Sequence, residues 1–285
     1  LKSAFSHCLL GRPFGRPVQQ DGESGRPTPM SSKELLESPT FLTTSPEDDG
    51  GTIIIFDWDD TLLPTWYVTE VVSPCLPDLK PEDSVPADSD FAECLKQHAH
   101  SVRETLRAAR RIARVGIVTL AQRPWVKSSA AKYLLDTSFS SFLKELAIPV
   151  VYARECIQRP IVSMAQVEEG VNVFTVAKQQ AMLKVLRKFA GKTARSWRSI
   201  VSVGDSTIER DAITDILWCH EVFADDMPHC KTVKLMQDPT VEQLGAELLL
   251  LRMWLPAMGR FNEDFEITMD DSEETLELLQ RRFVQ

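Results

Sequence analysis

An unbroken apolar run that ends in three acids constrains this chain more than any other stretch. Ile53, Ile54, Ile55 and Phe56 are followed at once by Asp57, Trp58, Asp59, Asp60 and Thr61. A short run of β-branched and aromatic residues reads as a strand buried on both faces, and such strands occur where helices cover a parallel sheet. Carboxylates crowded at the mouth of that strand lose hydration and repel one another, so a cation must answer them, most simply Mg²⁺. A helix-capping cluster is the competing reading, but a cap needs one acid and rarely follows four apolar β-formers.

The same alternation continues along the chain. Residues 52–56, 116–118, 149–152, 200–203 and 232–236 read as short buried strands, and 90–114, 125–135, 139–148 and 175–190 carry a helical period. Strand and helix in alternation predict a three-layer αβα fold with a parallel, Rossmann-like central sheet and right-handed crossovers. This domain is expected over residues 51–260, where 241–260 adds an amphipathic helix stopped by Pro256 and Gly259. Residues 1–50 are rich in Gly, Pro, Ser and Thr and read as a disordered leader. Residues 261–285 read as an acidic tail around a short helix, Ser272 to Phe283.

In parallel sheets, sites gather beyond the carboxyl ends of the strands. Asp57 and Asp59 follow the first strand, Thr119 the second and Asp205 the fourth, all at one edge. Lys178 falls in the first turn of the helix at 175–190, whereas Lys184 and Lys188 lie ~9 Å and ~15 Å farther along its axis.

Composition narrows the partners. A net charge of −9 over 285 residues argues against nucleic acid or an anionic membrane surface. No run of ~18 uncharged apolar residues is present to span a bilayer. The cysteines, Cys8, Cys75, Cys94, Cys156, Cys219 and Cys230, form no C-x-x-C pair, which favours a reducing, cytoplasmic setting. Cys219-His220 and His229-Cys230 match no familiar zinc spacing and read as core and surface residues. The acid-free first twenty residues, with Lys2, Arg12 and Arg16, fit a transit segment and an ordinary basic tail alike.

Four pieces in order, Asp57-Trp58-Asp59-Asp60-Thr61, Ile117-Val118-Thr119, Lys178 and Gly204-Asp205-Ser206-Thr207-Ile208-Glu209, resemble the motifs of the haloacid dehalogenase-like superfamily across about residues 52–236. The resemblance implies a Mg²⁺-dependent phosphatase working through an aspartyl-phosphate. In that scheme Asp57 is the nucleophile and Asp59 the general acid and base, while Thr119, Lys178, Asp60 and Thr61 bind the phosphoryl group. Asp57, Asp59, Asp205 and Glu209 would hold the metal. Glu209 replaces a commoner Asp, and a surface pair with Arg210 is an equal alternative for it. Leu120 stands where many members carry a small or amide residue.

Trp58 and Trp66 read as packing residues rather than substrate platforms, and Arg123 as a solvated helix-start residue. The inserts after Asp59 and Tyr152 allow at most a small cap, so an open cleft is expected, suited to a phosphorylated small molecule or protein. A phosphotransferase or mutase, or a non-catalytic scaffold of the same fold, are the alternatives.

Overall fold

The computed structural model describes residues 51–80, 82–157, 172–190, 197–219 and 227–269. Six strands, β1 (Thr52–Phe56), β2 (Arg114–Thr119), β3 (Val150–Tyr152), β4 (Ser199–Gly204), β5 (His229–Lys234) and β6 (Phe265–Thr268), form one sheet. Their order is β3-β2-β1-β4-β5-β6, and every neighbouring pair is parallel. β1 is buried along its whole length, as its apolar run requires.

Alternation along β1 divides its side chains between two layers. Ile54 and Phe56 face a cluster with α1 (Ala92–Ile112), α2 (Trp125–Tyr133), α3 (Phe139–Glu145) and α6 (Val241–Arg260). Ile53 and Ile55 face α4 (Val173–Ala190) and α5 (Thr207–Cys219). The protein therefore has a three-layer α/β, Rossmann-like fold. Each fully buried Ile, Val or Leu contributes ~1.5–3 kcal/mol, so both layers are held mainly by these apolar contacts.

Local signals explain the helices. In α1, Leu95, Ala99, Val102, Leu106 and Ala109 recur at helical spacing on the buried side, with Glu93 in the first turn and Arg110 and Arg111 in the last, each sign complementing the helix dipole. α6 opens with a capping box, Thr240 and Gln243 bonding each other's backbone amides. Pro256 was expected to stop this helix, yet it sits inside the last turns, where few later residues depend on the hydrogen bond it removes.

Two features were not expected. After Pro64 the chain forms a continuous helical run, Thr65–Tyr67, Val68–Val72 in π geometry, and Ser73–Cys75, before the loop that leads to α1. β6 lies inside the stretch expected as an acidic tail. Phe265 and Ile267 pack under α6 while Glu266 and Thr268 are exposed, the pattern of an edge strand covered on one side.

β6 also corrects the expectation of uniformly right-handed crossovers. Steps from β1 to β2 and β3 run toward one edge beneath α1, α2 and α3, and steps from β3 to β4 and β5 run the other way beneath α4 and α5. The step to β6 continues toward that second edge, but its helix, α6, lies on the face of α1. Its hand is therefore opposite to that of the other four. The apolar side of α6 packs against α1 and the half of that face left open beside it.

The expected leader, 1–50, and the helix at 272–283 lie outside the described residues. No helix among the described residues is long and apolar enough to cross a membrane. β1 and β4 are neighbours from which the chain departs in opposite directions, which makes the crevice at their carboxyl ends the switch point of the sheet.

Candidate functional site

The Asp57 amide donates to the Val203 carbonyl at 2.9 Å, extending β1–β4 pairing by one residue and setting Asp57 at the switch point. The chain then turns sharply, with the Leu62 and Leu63 amides both donating to Trp58 O at 2.9 and 2.8 Å. Asp60 takes a φ of 48°, a left-handed conformation that Asp tolerates better than most residues, and its Oδ1 accepts from the Trp66 amide at 2.8 Å. The turn is pinned from below. The Trp58 indole donates to Ser129 Oγ at 3.0 Å, and His98 Nε2 donates to Leu62 O at 2.9 Å.

Lys178 enters from α4 and is wholly buried. Its Nζ meets Asp57 Oδ1 at 2.5 Å, Glu209 Oε1 at 2.7 Å and the Val118 carbonyl at 3.1 Å. Asp57, Asp205 and Glu209 each offer an oxygen, and these lie within 4.8 Å of one another. Three acids face one ammonium, leaving the cluster short of positive charge.

The proton affinities follow. Burial pushes Asp57 well above the usual carboxylate range despite Lys178. Burial and then the Glu209 charge raise Asp205 to about 7. Burial alone would raise Glu209, but Lys178 and the Ser206 hydroxyl bring it below its ordinary value. Lys178 rises to about 12 because Asp57 and Glu209 outweigh the cost of its burial.

An all-carboxylate donor set without Cys or His suits a hard divalent cation. The buried group of Asp57, Asp205 and Glu209 could hold a metal ion, and it is the only such group among the described residues.

Glu209 is held at both oxygens. Oε1 faces Lys178, while Oε2 accepts from Ser206 Oγ at 2.6 Å and from the Ser206 amide at 3.3 Å. Ser206 Oγ in turn accepts from the Ile208 amide at 3.2 Å, so Ser206 to Glu209 caps the start of α5. The side chain folds back over Gly204, where an added Cβ would lie 2.4 Å from Glu209 Cγ. Arg210, the alternative partner for Glu209, pairs with Asp211 and Glu266 instead.

The remaining sequence candidates lie around this centre. Asp59 stands outside the metal-type group, and Thr119 Oγ1 donates to its Oδ2 at 3.0 Å. Thr119 Oγ1 also accepts from the Ala121 amide at 3.0 Å. Asp60 is raised to about 6 by burial, partly offset by the Trp66 amide. Thr61 is wholly buried and its hydroxyl has no hydrogen-bond partner among the described residues, so no hydrogen bond from that hydroxyl joins it to the cluster. Leu120 packs at the edge of the α4–α5 layer. Arg123 pairs with Glu155 at 3.1 Å and lies over the Tyr152 ring.

Among the described residues the Cys and His pairs form no metal-type cluster. His229 Nδ1 lies 3.4 Å from Asp264, Cys230 keeps a free thiol, and His220 lies outside the described residues.

Three residues in contact with the site were given no role from sequence. Ser206 carried a readable signal, since Ser206 and Glu209 have the S-x-x-E capping spacing. Thr65 and Trp125 both donate to Asp59 Oδ1, at 2.8 and 2.7 Å, and no local pattern foretells a bond between residues 59 and 125.

No protein-family model matches the chain, and no curated protein matches it. Among solved structures, the UTR4 protein (Unknown transcript 4 protein) of Saccharomyces cerevisiae is similar over 65% of this chain and 91% of that one, at 14% identity and a TM-score of 0.33. That likeness is too loose to argue from, and the site rests on its own geometry.

Proposed function

We propose that the chain is a Mg²⁺-dependent phosphohydrolase of the haloacid dehalogenase-like type, cleaving phosphate monoesters through an aspartyl-phosphate on Asp57. The observation that carries this reading is the meeting of Asp57, Asp205, Glu209 and Lys178 at the switch point. A buried charge cluster of this kind is costly to fold unless a ligand completes it.

Asp57, Asp205 and Glu209 would hold Mg²⁺, which supplies charge neutralisation of the phosphoryl oxygens. Asp57 attacks phosphorus, its oxygen–phosphorus bond forming as the ester bond breaks. Lys178 lowers the repulsion between this carboxylate and the phosphoryl dianion. Asp59 gives a proton to the leaving oxygen and later takes one from the water that releases inorganic phosphate and restores Asp57. General acid and base help of this kind is worth ~10²–10⁴-fold.

The test is hydrolysis of a generic aryl phosphate with and without Mg²⁺, comparing the intact chain with Asp57→Asn. Turnover that needs Mg²⁺ and disappears in the variant supports the reading. An intact chain that binds metal but turns over no compound in a broad phosphate panel is a scaffold instead.

A further inference from the structure

Asp59 is held more closely than its neighbours in the turn. Its two carboxylate oxygens receive three side-chain donors: Thr119 Oγ1 on Oδ2, and Thr65 Oγ1 and the Trp125 indole on Oδ1. Thr119 is itself oriented, because its oxygen already accepts from the Ala121 amide and its own hydrogen is left for Asp59. Donors on both oxygens fix the plane of the carboxylate as well as its place.

The three donors come from different parts of the chain. Thr119 ends β2, Thr65 begins the helical run after Pro64, and Trp125 begins α2. α2 is tied to the same turn a second time. Ser129 Oγ donates to the Trp125 carbonyl at 2.6 Å and accepts from the Trp58 indole at 3.0 Å, so two indoles join the Asp57–Leu63 turn to one helix. A tie of this kind sets where Asp59 stands without adding a group to the reacting centre.

We infer that Trp125 and Thr65 are positioning residues, which hold the Asp59 carboxyl group in place for proton transfer to the leaving oxygen. The inference rests on the phosphatase reading above and adds to it the residues on which the acid–base step depends. It has a consequence that general support of the fold lacks. A leaving group that departs readily as an anion needs little protonation, whereas an alkoxide needs a placed acid. Loosening Asp59 therefore selects against poor leaving groups.

The experiment compares kcat/KM for dinitrophenyl phosphate and for an unactivated alkyl phosphate, with Mg²⁺, in the intact chain, Trp125→Phe and Thr65→Val. Trp125→Phe keeps a ring and removes the N–H; Thr65→Val keeps the shape and removes the hydroxyl. The alkyl-to-aryl ratio of kcat/KM is expected to fall about tenfold or more in each variant, within the range that acid catalysis supplies. Equal losses on both substrates in both variants would overturn the inference and leave the phosphatase reading standing. An intact chain inert toward both substrates would overturn that reading, and this inference with it.

Discussion

Two lysines among the described residues are wholly buried, and their surroundings could hardly differ more. Lys178 meets the carboxylates of Asp57 and Glu209 and rises to about 12. Lys231, on β5, donates to the carbonyls of Met258 and Phe261, at 2.7 and 2.5 Å, and lies over the Phe265 ring, and burial followed by the nearby Arg198 charge lowers it to about 8. Those carbonyls close the carboxyl end of α6, where a helix dipole favours a cation. Burial of a charge therefore does not by itself mark a site. What separates the two is convergence: Lys178 is one member of a cluster that still lacks positive charge, whereas Lys231 satisfies the end of a helix and asks for nothing more.

Replacing each lysine breaks or sharpens this comparison. Lys178→Met leaves Asp57, Asp205 and Glu209 buried together without a counter-charge. Removing one partner of a buried pair costs about 3–5 kcal/mol, and, on the proposed reaction, loss of the Lys178 charge is expected to remove about 10²–10³-fold or more in turnover. Urea melts and aryl phosphate assays measure both. A variant as stable and active as the intact chain would mean that the acids do not need Lys178.

His98 offers a third solution to burying a base, which is to give up the charge. Burial lowers it to about 4 from an ordinary 6.5, and its Nδ1 has no hydrogen-bond partner among the described residues. The folded chain then binds fewer protons there than the unfolded chain. The stability from this group is complete above pH 6.5 and is lost as pH falls toward 4. The loss is about 3 kcal/mol. His98→Gln is expected to lack this part of the acid dependence, so the stability gap between variant and wild type narrows by that amount. A gap that stays constant from pH 7 to about 4 would refute a neutral, buried His98.

Mg²⁺ tests the charge deficit directly. At a concentration 100 times its Kd, a ligand that binds only the folded state stabilises it by about 2.7 kcal/mol. The melting temperature of the intact chain should rise with Mg²⁺ and stay put in Asp205→Asn, while Lys231→Met should respond as the intact chain does. Equal responses from the intact chain and Asp205→Asn would place the metal elsewhere.

The same contrast explains what could be read in advance. β1 to β4 were legible because their central residues are mainly apolar, and Lys178 because only the first turns of a helix reach the sheet edge; β5, expected at 232–236, spans His229–Lys234 because polar residues open it. β6 escaped because Phe265 and Ile267 alternate with Glu266 and Thr268 in an acidic stretch, so half of the strand looks like tail. The Trp125–Asp59 bond joins residues 66 positions apart and left no local trace. Lys231 gave no sign of burial, since its role depends on where α6 ends in space.

The smallest expected effect concerns Lys231 itself. Lys231→Met removes the donor to Met258 and Phe261, at a cost of about 1–3 kcal/mol for hydrogen bonds lost in a buried setting, and should leave turnover unchanged. Its pH dependence is more telling than its size. Because the folded pKa lies near 8, below the ordinary 10.5, the unfolded chain binds more protons between these values and wild-type stability gains from Lys231 as pH rises. Lys231→Met lacks that gain, so the gap between the two proteins should widen from pH 8 to 10.5. For Lys178, raised to about 12, the sign reverses, and its contribution is complete below 10.5 and fades above it. A Lys231 gap that closes as pH rises would show this lysine held by opposite charge, and the two buried lysines would then be alike after all.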